Sequence, residues 1–338
     1  VRIAYISDPD GVNSNYRAYQ PMATLMGQGH HVSYNRRGEP LFRLSEIVQS
    51  DVVHIHRYRG GEMQRLVDQL RERGVGIVWD NDDDLTNVPR SNPKYAKYSG
   101  ARGAAVARAI GSIVRAADVV TTPSERLAAS FRASGADDVR VIENYLPDAF
   151  PGTASVRHDG VVVAWLAGLE HQVDYQSLRL RETLDRLLDA HADLRISSIG
   201  LGLGLESDRY EHVKQIDFFE IPKFLSRADI GIAPLVDIPW NQARSNVKLK
   251  EYGAAGLAWL ASPVGGYLGM GEREGGHLVP DDGWHAALDR LITHARERRK
   301  LAKRASKWAK GQTIGKQIAA WEKAYLDASE RARARLRG

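Results

Sequence analysis

Short apolar runs alternate with amphipathic stretches along the whole chain, and the alternation stops once and then restarts. No other feature constrains the fold as much. Strands separated by helical stretches pair in parallel, and helices cover both faces of the resulting sheet. The spacing predicts strands at Val1–Ser7, His31–Tyr34, Asp51–His56, Val75–Trp79, Val119–Thr122 and Val139–Ile142. Helices are predicted between them over Tyr16–Gly29, Gly61–Arg73, Ala101–Ala117 and Ser124–Ser134. The segment Asn144–Gly160 lacks periodicity and holds Pro147, Pro151, Gly152 and Gly160, so it reads as a linker. The pattern resumes with strands Val161–Trp165, Leu194–Ser198, Ile230–Pro234 and Leu257–Ser262. Helices Gln176–His191, Pro222–Ala228 and Asn246–Ala255 accompany them, and from Trp284 the chain is mostly helical. A length of 338 residues suits two such α/β domains.

Composition narrows the chemistry. The chain has no cysteine, which excludes disulfides, zinc–thiolate sites and a cysteine nucleophile, and which suits a cytoplasmic enzyme. No apolar run approaches the roughly 18 residues of a membrane span, and Val1–Ile6 lacks the features of a signal peptide. The net charge of +5 and pI of about 9.3 favour an anionic partner. A nucleotide, DNA and peripheral contact with an anionic membrane all fit. Much of the excess lies in Arg296–Arg304 and Arg331–Arg337, runs that read as solvated helix faces. No GxGxxG loop, helix-turn-helix or aromatic–basic platform is present.

In open parallel sheets ligands bind beyond the carboxyl ends of the strands. The segment Arg244-Ser-Asn-Val-Lys-Leu-Lys-Glu-Tyr-Gly-Ala-Ala-Gly256 lies beyond such an end. Ser245 is the expected N-cap, and the unpaired amides of Ser245, Asn246 and Val247 would make an anion site. Lys248 falls in the first helical turn, where a cation opposes the helix dipole. A bound diphosphate would remove that conflict. Glu251, three residues on, shares its face and could accept hydrogen bonds from ribose hydroxyls.

The run Ser245–Tyr267 resembles the donor-binding segment of GT-B glycosyltransferases of the retaining family-four type. Glu251 matches the second glutamate of that family's Glu-x7-Glu motif, and the first would fall at Ala243. The Ser-Asn-x-Lys form is similar to a bacterial subgroup with the same substitution. Trp165–Asp174 resembles the family's Gly-x-x-x-His-x-x-Asp segment, with Gly168, His171 and Asp174 in place, Gly168 one residue nearer the histidine. Asp229–Asp237 resembles the strand ending in Pro-Leu, and Val264-Gly-Gly-Tyr267 the turn after the next strand. Leu301–Trp308 and Ile318–Tyr325 resemble the terminal segment that crosses back to the first domain.

The resemblance implies two Rossmann-like domains, at 1–150 and 151–310, and a returning helix at 311–338. It implies transfer of a sugar from a nucleotide diphosphate to a hydroxyl, with retention and with no metal or other cofactor. Lys248 and His171 would act on the leaving diphosphate, and Gly168, Ser245, Asn246, Val247, Lys248 and Glu251 would bind the donor. The first-domain loop Asp8–Arg17 would approach donor phosphate and acceptor, with Asn13 and Arg17 as candidates. His56 and Arg57 end a strand facing the same region. Asp80-Asn-Asp-Asp-Asp84 follows another strand. Its crowded carboxylates need a reason: an acceptor-side role for Asp80, Asp82 and Asp83 is expected, with catalysis at the latter two, and metal binding and a purely structural loop are the other readings. The acceptor is left open among a glycan, a lipid-linked or small molecule and a base in DNA. A GT-B sugar-nucleotide epimerase and a non-catalytic sugar-nucleotide binder are the other readings.

Overall fold

The computed structural model describes residues 1–7, 11–36, 44–153 and 155–337. The chain divides into two compact units: Val1–Val88 and Ala96–Pro147 with Ile314–Gly338, and Pro89–Tyr95 with Asp148–Thr313.

The first unit is built on a six-stranded sheet. Its strands are β1 (Arg2–Ser7), β2 (His31–Arg36), β3 (Val52–His56), β4 (Gly76–Asp80), β5 (Val119–Thr122) and β6 (Val139–Val141), in the order β2-β1-β3-β4-β5-β6. All pairings are parallel, and the register sets Ser7 beside His56, His56 beside Asp80, and Asp80 beside Thr121. Four polar residues therefore share one end of the sheet. The central strands β3, β4 and β5 are buried along their whole length, as a parallel sheet covered on both faces requires.

The C-terminal helix Ala319–Arg335 packs on β3, β4 and β5. Trp321, Ala324, Tyr325 and Ala328 join Tyr5, Val52, Val78 and Val119 in one core. Gly76 permits this docking, because a Cβ there would lie 2.7 Å from the Ala328 carbonyl carbon and oxygen. Both obstacles are backbone and cannot rotate aside. Gly76→Ala is therefore expected to destabilise the protein by about 1–3 kcal/mol, measurable as a lower urea midpoint. The basic C-terminal run is not a simple solvated face. Arg331 pairs with Asp138 at 2.8 Å, Arg335 with Asp118 at 2.5 Å and Arg333 with Asp51 at 3.7 Å, all acids of the first unit.

The second unit repeats the architecture. Its strands are β7 (Val161–Ala167), β8 (Leu194–Gly200), β9 (Tyr210–Val213), β10 (Ile230–Ala233), β11 (Ala258–Ala261) and β12 (Gly276–Leu278). The order is β12-β11-β10-β7-β8-β9, again all parallel. The core includes Trp165, Leu184, Leu187, Ile196, Ile232, Leu260 and Trp284. The helix Val247–Ala254 packs against the helix Ala295–Ala309. Gly253 allows the approach, since a Cβ there would meet the Ala305 carbonyl oxygen at 2.8 Å. Gly256, at φ +77°, ends the helix in the left-handed conformation.

Several elements differ from the sequence expectation. The stretch expected as one helix over Tyr16–Gly29 begins at Gly11 and passes through a π-helical turn, Asn15–Tyr19, before the helix Gln20–Gly27. The helix expected at Gln176–His191 is broken into Gln172–Ser177 and Leu180–Ala190 by Arg179, at φ +49°. Strands β9 and β12 went unseen because neither carries an apolar run. Among the described residues no helix is long and apolar enough to cross a membrane.

Candidate functional site

Each unit gathers polar side chains at the carboxyl end of its sheet. In the second unit, β7 ends at Ala167 and the chain turns through Gly168 and the 3-10 turn Leu169–His171 into the helix Gln172–Ser177. His171 Nδ1 lies 2.7 Å from Asp174 Oδ2. The other carboxylate oxygen of Asp174 accepts from the Val236 amide at 2.9 Å and from Asn241 Nδ2 at 2.7 Å. Burial pushes Asp174 up to about 6, although these donors and Arg244 pull the other way. At neutral pH it is a carboxylate, which can only accept. His171 therefore carries its proton on Nδ1. Burial, then Arg244 and Lys248, hold the imidazole well below its usual pKa, so it stays neutral. Its Nε2 is buried without a hydrogen-bond partner, 4.0 Å from Glu170 Oε1.

Two cations face this dyad. Arg244 stands 3.6 Å from Glu170, its guanidinium 5.6 Å from the centre of the Trp240 ring, and its Nε is buried without a hydrogen-bond partner. Lys248 is half-buried in the first turn of the helix Val247–Ala254 and makes no hydrogen bond or ion pair among the described residues. Burial and then the Arg244 charge lower its pKa, with Glu251, Glu170 and Asp174 opposing the drop. Burial alone would raise the Glu170 carboxyl. Arg244, His171 and Lys248 instead bring it down to about 2. Arg244 and Lys248 thus sit among three carboxylates, Glu170, Asp174 and Glu251, yet none of these pairs directly with the Lys248 ammonium. A desolvated cation without a partner is costly, and an anion entering the site removes the cost.

One sequence expectation for this region needs correction. Ser245 is not the N-cap: the helix starts at Val247 and Asn246 holds that position, because the chain turns where the Leu249 amide reaches the Asn246 carbonyl at 3.1 Å. The space over Gly168 is filled, since a Cβ there would lie 2.1 Å from Glu170 Oε2. Gly265 and Gly266 serve the protein's own backbone. A Cβ on Gly265 would meet the Asn241 carbonyl oxygen at 2.6 Å, and one on Gly266 the Arg244 carbonyl oxygen at 2.8 Å. The glycine pair thus fixes the loop that carries Arg244. Glu251 is buried beside Lys248, on the same helix. Gly168, His171, Asn246, Val247, Lys248 and Glu251 all lie in this unit. Sequence reasoning missed Arg244 and Glu170, but expected the loop through Trp240 and Asn241 to face a donor. Arg244 and Glu170 adjoin residues it did select, but nothing in the sequence shows that the loops after β7 and β10 meet.

In the first unit the register places Ser7, His56, Asp80 and Thr121 together. His56 Nδ1 is 3.1 Å from Ser7 Oγ, and its Nε2 is 3.5 Å from Asp82. Arg17 is fully buried, which corrects its expected role as an open phosphate contact. Its Nε and Nη2 hold both oxygens of Asp80, at 3.0 and 2.5 Å, and its Nη1 donates to the Ile142 carbonyl and to Asn144. The same guanidinium lies 4.7 Å from the Trp321 ring centre. Asp80 also accepts from Thr121 and is buried, so it does not face an acceptor either. Burial would raise Asp80, but Arg17 holds it below its usual range.

The remaining carboxylates are answered one by one. Arg57, at φ +65°, bonds Asp82 and Asp83 at 2.6 Å each. Asp84 accepts from Thr86 at 2.6 Å and from Asn87 at 2.8 Å. Asp82 is therefore a buried, paired carboxylate, whereas Asp83 and half-buried Asn13 retain exposure. The proposed loop residues Asp8–Asp10 lie outside the described residues. Among the described residues no group of three or more His, Asp or Glu side chains is placed to hold a metal.

Comparison with known proteins follows this geometry. Residues 22–145 match the family model of a glycosyl transferase 4-like domain. No curated protein matches the chain. Solved structures share its fold. Sucrose-phosphate synthase from Thermosynechococcus elongatus superimposes with a TM-score of 0.69 at 16% identity, over 98% of this chain and 99% of that one. An α-glucosyltransferase in complex with UDP-glucose and abasic DNA gives 0.69 at 11% identity, over 96% and 99%. Anabaena HepE in complex with UDP-glucose gives 0.63 at 12% identity, over 98% and 99%. The fold is α/β of the GT-B type, with two Rossmann-like parallel sheets.

Proposed function

We propose that this chain is a glycosyltransferase that moves a sugar from a nucleotide diphosphate donor to a hydroxyl acceptor. The observation that carries the reading is Lys248, a desolvated and unpaired cation beside Arg244 at a helix start in a GT-B unit. The donor diphosphate takes Arg244 and Lys248 at the helix start, and Glu251 receives the ribose hydroxyls. Charge builds on the diphosphate as its bond to the anomeric carbon breaks, and preorganised cations lower that barrier. The acceptor oxygen bonds to the anomeric carbon on the same face, with retention, and its proton passes to the departing phosphate oxygen. His171 enters with a role different from a phosphate donor. Its free Nε2 accepts, so it orients a sugar hydroxyl. Charge neutralisation rests with Arg244 and Lys248, and turnover is expected to survive a metal chelator.

UDP-glucose is the first donor to try, because the α-glucosyltransferase and HepE structures hold it. DNA belongs among the acceptors tested, since the α-glucosyltransferase was solved with DNA. A ligand of the native state raises its melting temperature. The test is a thermal-shift screen of UDP-, GDP-, ADP- and dTDP-sugars, followed by nucleotide release with and without acceptors. Acceptor-dependent release supports transfer. Conversion of donor without acceptor would mean an epimerase, and binding without turnover a sugar-nucleotide binder. Absence of binding by all four sinks the proposal.

The dyad predicts a pH dependence. Protonation of Asp174 near pH 6 removes the acceptor that orients His171, so kcat/KM should fall on the acid side with a midpoint near 6. The stability term has the opposite sign. Asp174 has a folded pKa above its ordinary 3.8, so its contribution to stability is full below 3.8 and is lost as pH rises through about 6. Activity lost at pH 5.5 without a fall in melting temperature would fit. A flat profile down to pH 5 would remove Asp174 from the mechanism.

A further inference from the structure

The helix Ala295–Ala309 lies in the second unit behind the helix that carries Lys248. Its inner side is Leu301, Ala305 and Ala309, all buried, with Arg298 capping the carbonyls of Leu291 and Ile292 at 2.6 and 2.9 Å. Its outer side carries Arg296, Arg299, Lys300, Lys303 and Lys307, all exposed. At 100° per residue these five fall within about 100° of arc, opposite the buried stripe, along about 16 Å of helix. None of them makes a hydrogen bond or ion pair among the described residues. The nearby acids are already engaged: Glu297 holds Arg290 at 2.9 Å and His277 at 3.1 Å, and Glu272 holds Arg304 at 2.7 Å. In the C-terminal run of the first unit, by contrast, Arg331, Arg333 and Arg335 are paired. Self-repulsion along this row of like charges is offset only in part, by the attraction between Glu272 and Lys300.

We infer that this face docks on an anionic phospholipid surface. Polybasic segments are drawn to such a surface by its potential, without any fixed pairing of one cation to one phosphate. The row fits that mode. It is a row of long flexible side chains on one helix face, and no exposed large apolar residue of this helix is there to insert. Duplex DNA also draws Arg and Lys to its phosphates, but there uncharged polar side chains, backbone amides and helix starts share the phosphates and fix a register. From Arg299 on the row lies past the first helical turn, where amides are spent, and it offers only ammonium and guanidinium groups.

The test uses the full chain with vesicles of phosphatidylcholine, alone or mixed with phosphatidylglycerol, and reads cosedimentation. Binding is expected only to the mixed vesicles and should weaken as salt is added. The fourfold variant Arg299→Gln, Lys300→Gln, Lys303→Gln, Lys307→Gln should lose about 100-fold or more in partitioning. Its melting temperature should equal or exceed that of the parent and its nucleotide-sugar binding should be unchanged, which separates this surface from the donor site. Equal binding by variant and parent overturns the inference, as does no binding of the parent to anionic vesicles. Charge-dependent binding to duplex DNA with none to vesicles overturns it in favour of a nucleic-acid surface.

Discussion

Replacing Lys248 by alanine should lower kcat/KM for sugar transfer by about 10²–10³-fold, the usual cost of removing one preorganised donor from a developing anion. The folded protein should not suffer. Lys248 lacks an ion pair and is held at a lowered pKa by burial and by Arg244. Its removal leaves no orphaned partner and relieves the repulsion with Arg244. The melting temperature of the variant should equal or exceed that of the parent, and the shift produced by a bound nucleotide sugar should shrink. A purely structural lysine would behave in the opposite way, with activity falling only as far as stability does. Steady-state kinetics and thermal denaturation on the same preparation decide between them. Retained turnover with full donor affinity would remove Lys248 from the reaction.

That prediction was legible before any coordinates, because a lysine in a first helical turn conflicts with the helix dipole. The strands were legible for an equally local reason: β3, expected at Asp51–His56, is found at Val52–His56. What stayed hidden is non-local. Arg17 follows a strand end and reads as a loop cation free to meet phosphate. Its true partners are Asp80, the Ile142 carbonyl, Asn144 and the ring of Trp321, and no local pattern joins them. The aspartate cluster failed in the same way. Adjacent carboxylates imply repulsion, but Arg17, Arg57, Thr86 and Asn87 supply separate answers to it. Arg244 was hidden because its significance depends on Glu170 and His171, which reach it from the loop after β7.

The buried pair in the first unit gives the largest expected stability effect. Arg17 and Asp80 are both fully buried, and the guanidinium grips the carboxylate through two bonds. Asp80→Ala would leave that guanidinium in the core with its counter-charge gone, at a cost of about 3–5 kcal/mol. Thr121 would also lose its acceptor. Because Trp321 of the returning helix stacks on Arg17, the damage should spread to the docking of that helix. The double variant Arg17→Met, Asp80→Ala should then be more stable than Asp80→Ala alone, since a methionine needs no counter-ion and can fill the space beside Trp321. Urea unfolding of the four proteins completes the cycle. A coupling of several kcal/mol identifies the pair as mutually dependent. Additive losses would mean that water or other side chains already balance Arg17. In that case the reading of Arg17 as a structural cation, closed to phosphate, would fall with them.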